Sequence, residues 1–421
     1  MIDTDLNVKQ LWQILLSGNP NEALQKFQEN MLLSPADPQN WSGMMACACA
    51  TGNIPAALRI LDQRHTHFSD GPIVTLASMM GFASTRQERI LEFLVQNWPK
   101  ERADYVLILY HYGHLLLELD QLKNANKIFL ECKKLFLENK DELKIQENAD
   151  LFSTYRQCVN LISFEDVNKL TTKSTTYLSK FVGEIDWQDP PETSPLPIGL
   201  VAADKHYTKT FGRDFFQSLN QFWPTDNIFH LHIIDPDAET PSLIDEIKAA
   251  CPNIDLKISL NTKPSEINME KSPYYASLRF FMLTSLLKRY KSPIMTFDID
   301  MIAKVDLTPI PNAIKDYDYI RFKRPSFGPG GYEYAALTAF QGSNGYKIAD
   351  LTAKIIAKRI EESSTDLWFV DQTALYQAYC YFRQNDSIFN DGSFYDYIPE
   401  LDHFFHHLDA EEIKIKLSQI S

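Results

Sequence analysis

KSPIMTFDIDMIAKVDL, residues 291–307, is an apolar run that ends in two acids one residue apart. Residues 293–297 are short, apolar and β-branched enough to form a buried strand. Asp298, Ile299 and Asp300 close it. Side chains two apart in a strand point to the same side, so both carboxylates can face one point. Two hard oxygen ligands suit Mg²⁺ or Mn²⁺, ions that keep coordination positions open for substrate phosphates. The plain alternative is that Asp298 and Asp300 are turn residues, because acids are common in turns. Asp306, after a further apolar segment, is expected to cap a loop.

The surrounding pattern alternates strand and helix. Residues 198–203 are an apolar run of strand length, and 211–222 have helical spacing with Phe215, Leu219 and Phe222 on one face. Residues 228–234 and 254–260 read as strands. Pro241 and Pro273 each sit where a helix opens, the second covering 272–290. This β-α-β-α-β-α-β order predicts a mainly parallel sheet, whose ligands bind beyond the carboxyl ends of the strands. Asp298, Asp300 and the segment Ala202, Ala203, Asp204, Lys205, His206, Tyr207 fall at such ends. Lys205 and His206 are expected to be ordinary loop residues.

The chain has 421 residues and a net charge of −14, enough for two or three domains and too acidic for a nucleic-acid or anionic-membrane partner. The six cysteines are scattered without a C-x-x-C, which points away from structural zinc and toward a reducing, cytoplasmic setting. The first ten residues carry no apolar signal region, and no apolar run reaches membrane-spanning length.

The first half repeats. GNPNEAL at 18–24 and GNIPAAL at 52–58 are 34 residues apart. Ala23 with Phe27, Ala57 with Leu61 and Ala125 with Phe129 keep that register, while the unit at 72–105 has Leu91 in place of the small residue. Small residues let antiparallel helices approach, and the aromatic fills the groove one turn later. The pattern, with Trp41 and Pro35, resembles the tetratricopeptide repeat. Such stacks imply a concave face for a protein or peptide, or for a second copy in a homo-oligomer. Met44, Met45, Met79 and Met80 are expected in its core. A Pro-rich stretch near 186–196 is read as the linker, giving a helical domain at 1–185 and an α/β domain at 196–421.

In the second half, IGLVAADKHYTKTFGRDFFQSL at 198–219 resembles the opening of the glycosyltransferase family that includes glycogenin and the bacterial lipopolysaccharide galactosyltransferases. Asp204, Tyr207, Ser218 and Leu219 carry the likeness, as do Arg279 in YYASLRFFML and the pair in TFDIDMIAKVDL. The resemblance implies a GT-A type fold and a nucleotide-sugar donor, with UDP favoured and retention of configuration leaned toward. It also implies that Asp204 reads the base, Tyr207 stacks on it, and Asp298 and Asp300 hold Mn²⁺ or Mg²⁺. Arg279 would support the diphosphate or a sugar-binding acid. FVDQTALY at 369–376 matches the family's D-Q element, placing Asp371 and Gln372 at the donor sugar.

In that family a C-terminal histidine completes the metal shell, and the resemblance implies that DHFFHHLDAEE at 402–412 would supply it, with His406 favoured over His403 and His407. Ser343 and Asn344 stand where the family has a donor-binding element. Asp409, Glu411 and Glu412, with Lys414 nearby, replace the family's C-terminal diphosphate-binding residues. FGPGGY at 327–332 could serve as a lid, an acceptor loop or a plain surface loop. Two rival readings stand beside the transferase: a nucleotidyltransferase, which would need a Gly-rich loop after the first strand, and a scaffold acting through its helical repeats.

Overall fold

The computed structural model describes residues 8–65, 88–147, 149–190, 192–225, 227–263, 271–304, 306–322, 329, 333, 335–363, 365–385, 389–394 and 405–407. The chain divides into two compact units, Met1–Val159 and Asn160–Ser421.

The first unit is helical: Val8–Leu16, Pro20–Leu33, Pro38–Ala50, Ile54–His65, Glu88–Asn97, Tyr105–Glu118, Leu122–Glu138 and Ala149–Val159. Several joins are three residues long, which forces neighbouring helices to run antiparallel. The spacing seen in the sequence reappears in the backbone. Gly18, Gly52 and Asp120 all have positive φ (91°, 73° and 56°) at helix ends. The next amide in each case reaches back five residues, Asn19 to Ile14, Asn53 to Ala48 and Gln121 to Leu116. That is one C-terminal cap repeated at offsets of 34 and 68 residues. The small and aromatic residues singled out above (Ala23, Ala57, Ala125, Phe27, Leu61, Phe129) are fully buried. A Cβ on Gly113 would stand 2.9 Å from the Phe129 ring, so that crossing needs the glycine. Met44 and Met45 are core, and Met79 and Met80 lie outside the described residues. All six cysteines are buried, and none is in a disulfide. Among the described residues, no helix is long and apolar enough to cross a membrane.

The second unit begins earlier than the proline-rich stretch suggests. Residues after Asn160 pack on the α/β body. The Asn160 amide donates to the carbonyls of Asp366 and Trp368 at 3.0 and 2.8 Å, and Gln377 exchanges two hydrogen bonds with the Ile162 backbone. Tyr177 donates to Glu361. The proposed linker is itself built in. Asp186–Trp187 pairs as an edge strand, Asp189 accepts from the Ile258 amide, and Ser194 bonds Ser292. Proline content marked an irregular segment correctly, but irregular backbone can be tied down side chain by side chain.

The strands are β1 (Asp186–Trp187), β2 (Ile198–Asp204), β3 (Ile228–Ile234), β4 (Asp255–Asn261), β5 (Ile294–Phe297), β6 (Met301–Ala303), β7 (Tyr319–Arg321), β8 (Leu337–Phe340), β9 (Asp391–Ser393) and β10 (Phe405–His407). Eight form one sheet in the order β1-β4-β3-β2-β5-β8-β7-β9. β4, β3, β2 and β5 are parallel, whereas β1 and β8 run against their neighbours. The sheet is therefore mixed, with the expected parallel core. The chain steps outward from β2 to β3 to β4, then returns to place β5 on the other side of β2. The β2–β5 seam is thus a topological switch point, where the two flanking connections diverge and leave a crevice.

The two faces of the sheet differ. Val201, Phe229, Leu231, Phe297 and Leu337 form an aromatic-rich core with Phe215, Phe216 and Leu219 of the Lys205–Phe222 helix. Gly199 belongs to this packing, because a Cβ there would sit 2.2 Å from the Phe229 ring.

The other face carries a buried polar chain. His230 links Tyr290 and Ser259 at 2.6 and 2.8 Å, and His232 links Ser259 and Asn261 at 2.7 and 3.1 Å. Burial pushes both imidazoles below their ordinary value, His232 to about 4. The folded state then refuses a proton that the unfolded chain accepts below about pH 6.5. Stability is full above that pH and is lost as pH falls toward 4, by about 3 kcal/mol for His232 alone. Urea melts at pH 7.5 and pH 4.5 should show this loss, and His232→Gln should reduce it. An unchanged pH slope in that variant would remove the histidine from the account.

Candidate active site

Four elements deliver side chains to the β2–β5 seam. The first is the end of β2. Asp204 caps the helix that follows, accepting from the Tyr207 amide at 2.7 Å. The D-x-x-Y spacing therefore sets Tyr207 in the first turn, its ring 5.2 Å from Phe211 one turn later. The helix starts directly at Lys205. No Gly-rich phosphate loop intervenes, which removes the feature a nucleotidyltransferase would need.

The second element is the end of β5. Register sets Phe297 beside Val201, so Asp298 emerges next to the last residues of β2. Asp298 to Asp300 form a turn into β6 and do not continue the strand. Ile299 is buried in the aromatic core, and this anchors the turn with Asp298 and Asp300 at the cavity. The acids converge because the residue between them is apolar, which differs from the strand-face argument. Asp306 bonds the amide and hydroxyl of Thr308, as a loop cap should.

The third element is the Lys271–Tyr290 helix, which supplies Arg279. Its guanidinium bonds Asp298 through Nη1 and Asp371 through Nη2, the latter at 3.2 Å. Arg279 is only 4% exposed. The fourth is the Val370–Asn385 helix with Asp371 in its first turn. Burial raises the Asp371 carboxyl above the ordinary range; the Arg279 guanidinium opposes this, and the Asp298 charge adds to it.

These residues line one cavity of about 530 Å³, with Ala203, Asp204, Tyr207, Arg279, Asp298, Ile299, Asp300, Asp371 and Gln372 all on its wall. Burial raises the Tyr207 phenol, with further contributions from Asp300, Asp204 and Asp298 in that order. Arg279 thus joins Asp298 to Asp371, while Asp300, Asp204 and Asp298 act on Tyr207. Four carboxylates against one guanidinium leave the cavity strongly negative, the setting in which a divalent cation is held by oxygen ligands. Among the described residues, no group of three or more His, Cys, Asp or Glu side chains is assembled for a metal. Asp298 and Asp300 could supply two ligands of such a set.

β10 pairs antiparallel with β6, setting His406 opposite Ile302 and His407 opposite Met301, directly after the acid pair. His403, Asp409, Glu411, Glu412 and Lys414 lie outside the described residues, and so does the FGPGGY segment apart from Pro329.

Ser343 and Asn344 are not in the cavity. β8 runs antiparallel to β5 with Phe340 beside Ile294 and Leu337 beside Phe297. The helix opening at Gly342 therefore stands at the start of β5, the end of the sheet opposite Asp298. Asn344 instead bonds Asp318 at 3.1 Å. Lys205 and His206 are not loop residues but open the Lys205–Phe222 helix; Lys205 pairs with Asp237, and His206 lines the cavity.

Reading the sequence also missed the wall formed by Leu367, Trp368, Phe369 and Val370. Asp366 and Phe369 adopt φ of 59° and 67°, a left-handed conformation that costs about 1–3 kcal/mol per non-glycine residue. The 1%-exposed Asn160 pins this turn through its two carbonyl bonds. Asn160→Ala is expected to destabilise the unit by about 1 kcal/mol by removing two partly buried hydrogen bonds. Hydrogen exchange should rise first at residues 366–372. Uniform exchange across the unit would mean that the side chain does not hold the turn.

No protein-family model matches the chain, and no curated protein does. Solved structures do resemble it. The apo bifunctional glycosyltransferase WbbM aligns at TM-score 0.33 and 14% identity over 47% of this chain and 39% of its own. The apo glycosyltransferase GlyE of Streptococcus pneumoniae aligns at TM-score 0.33 and 14% identity over 52% and 55%. Mouse xyloside xylosyltransferase 1, also apo, aligns at TM-score 0.34 and 10% identity over 53% of this chain and 99% of its own. The chain thus spans 39% and 55% of the first two neighbours. Likeness this faint carries no argument about chemistry, which has to come from the residues.

Proposed function

We propose that this protein transfers a sugar from a nucleoside diphosphate sugar, UDP favoured, to an acceptor hydroxyl in the presence of Mn²⁺ or Mg²⁺. One observation carries the reading: Asp204, Tyr207, Arg279, Asp298, Asp300 and Asp371, from four separate elements, line a single cavity at the sheet's switch point. Tyr207 offers a ring face to the base and Asp204 an acceptor to its edge. Asp298 and Asp300 would hold the cation, with His406 as a further ligand. The cation supplies positive charge against the departing diphosphate. Arg279 fixes Asp298 and Asp371 relative to each other. Asp371 and Gln372 orient the donor sugar.

In the transfer, the acceptor oxygen bonds to the anomeric carbon. The bond from that carbon to the diphosphate oxygen breaks with its electron pair, and the nucleoside diphosphate takes up the hydroxyl proton. Charge developing inside a shielded cleft is where fixed dipoles and ions are worth most. The helical unit, read as a tetratricopeptide-type stack, would hold a protein or peptide that carries the acceptor, or a second copy of the chain.

A panel of sugar nucleotides incubated with Mn²⁺ or Mg²⁺ tests this. The expected result is cation-dependent release of nucleoside diphosphate from one UDP-sugar. No release from any donor, together with no cation-dependent UDP binding by calorimetry, would defeat the proposal and favour the scaffold.

A further inference from the structure

A second cavity, of about 370 Å³, opens at the other end of β5, between the last turn of the Lys271–Tyr290 helix and the start of the Gly342–Glu362 helix. It shares no residue with the first, and no carboxylate lines it. Lys288 and Lys291 both do, and among the described residues neither forms an ion pair. Lys288 is held instead over the Tyr346 ring, its Nζ 5.1 Å from the ring centre. The Tyr346 hydroxyl shares a hydrogen bond with that of Thr175 at 3.4 Å, which fixes the ring. Lys291 has a φ of 52°, and its amide reaches back to the Leu287 carbonyl at 3.1 Å. That left-handed position after a helix is one glycine fills at least cost. A lysine kept there, at a cavity wall, points to a use for its charge.

Gln341 adds a third group to the same wall. Its Nε2 donates to the Lys315 carbonyl, while its Oε1 is buried with no partner among the described residues. A buried acceptor left open is costly, so a ligand that brings a donor gains by filling it. The helix start itself is not the seat of an anion, because Asp318 already lies there, bonded to Asn344 and to the Asn390 amide. Two ammonium groups, one waiting acceptor and the apolar Leu287 and Pro293 call for a ligand with an anion, a hydroxyl and a C–H face. We infer that this cavity binds a sugar phosphate, its phosphate held by Lys288 and Lys291 and one hydroxyl donating to Gln341 Oε1. The volume falls within the roughly 300–1,000 Å³ of small-molecule sites. Nothing in this inference depends on the transferase reading.

The test is isothermal titration of the full chain in metal-free, low-salt buffer. The probes are glucose 6-phosphate, glucose 1-phosphate, galactose 1-phosphate, inorganic phosphate and glucose. At least one hexose phosphate should bind about tenfold more tightly than inorganic phosphate, and glucose should not bind measurably. Lys291→Gly relieves the left-handed backbone, so its urea midpoint should equal or exceed the parent's while its affinity falls about tenfold. Lys291→Arg, which keeps the charge, should lose threefold or less, and Lys288→Gln about tenfold. Gln341→Met should weaken the hexose phosphate several-fold and leave inorganic phosphate unchanged. The site is overturned if no hexose phosphate binds, if inorganic phosphate binds as tightly as the best of them, or if Lys291→Gly binds as well as the parent.

Discussion

Arg279→Leu is expected to lower the stability of the second unit by about 3–5 kcal/mol. The guanidinium is buried and bonds two carboxylates from different elements, Asp298 after β5 and Asp371 on the Val370–Asn385 helix. Removing it leaves Asp371 buried without its compensating charge. The loss arises from that stranded charge, since a buried ion pair as a whole contributes little. Two consequences separate this from loss of packing. Asp371→Asn in the Arg279→Leu background should recover more than half of the deficit, because the amide carries no charge.

The deficit should also depend on pH. The native Asp371 carboxyl already lies above its ordinary value, and without Arg279 it rises further. A raised carboxyl binds its proton more tightly folded than unfolded, so its cost is absent below the unfolded value and grows as pH rises through the folded one. Urea midpoints at pH 5 and pH 8 should therefore diverge more in Arg279→Leu than in the parent. Equal midpoints, or a double variant no more stable than the single, would show that Arg279 does not hold these acids.

The parts of the site that could be read in the sequence are those whose geometry is local. D-x-x-Y becomes a helix cap followed by a ring in the first turn, and that depends on four consecutive residues. D-I-D becomes two acids at one cavity because the residue between them is apolar, again a local matter. Arg279 and Asp371 were legible through family resemblance, and the Arg279 guanidinium bonds both Asp371 and Asp298.

What could not be read depends on pairing between distant strands. The antiparallel insertion of β8 beside β5 decides which end of the sheet Ser343 and Asn344 occupy, and no pattern inside GSNG encodes it. The left-handed turn at Asp366 and Phe369 was equally hidden, because Phe rarely takes positive φ and Asp, though enriched there, takes it in only a minority of cases. Asn160 acts across some two hundred positions of sequence. An isolated Asn at a helix end reads as a cap, not as the clamp of an active-site wall. The compact units divide at Asn160 and not at the proline-rich stretch, because composition reports which backbone is irregular while hydrogen bonds to a neighbour decide what it packs with.

Asp300→Asn should leave folding nearly untouched and remove most of the activity. Asp300 is half-exposed on a turn that Ile299 anchors, so the change in stability should stay within about 0.5 kcal/mol. The amide keeps the shape and loses the charge, and a hard cation binds a neutral oxygen far more weakly than a carboxylate. UDP affinity measured without metal should therefore match the parent, while the increase produced by Mn²⁺ should disappear. Turnover should fall by about 10³-fold, the scale lost when a single group stabilising developing charge is removed. Asp298→Asn should cut turnover similarly but also disturb the Arg279 bridge, so it should lose stability where Asp300→Asn does not. That contrast would assign the two acids different duties, with Asp298 joining the proposed cation site to the buried core and Asp300 acting chiefly on the cation. Mn²⁺-dependent UDP binding that survives in Asp300→Asn would place the cation elsewhere and undo the assignment.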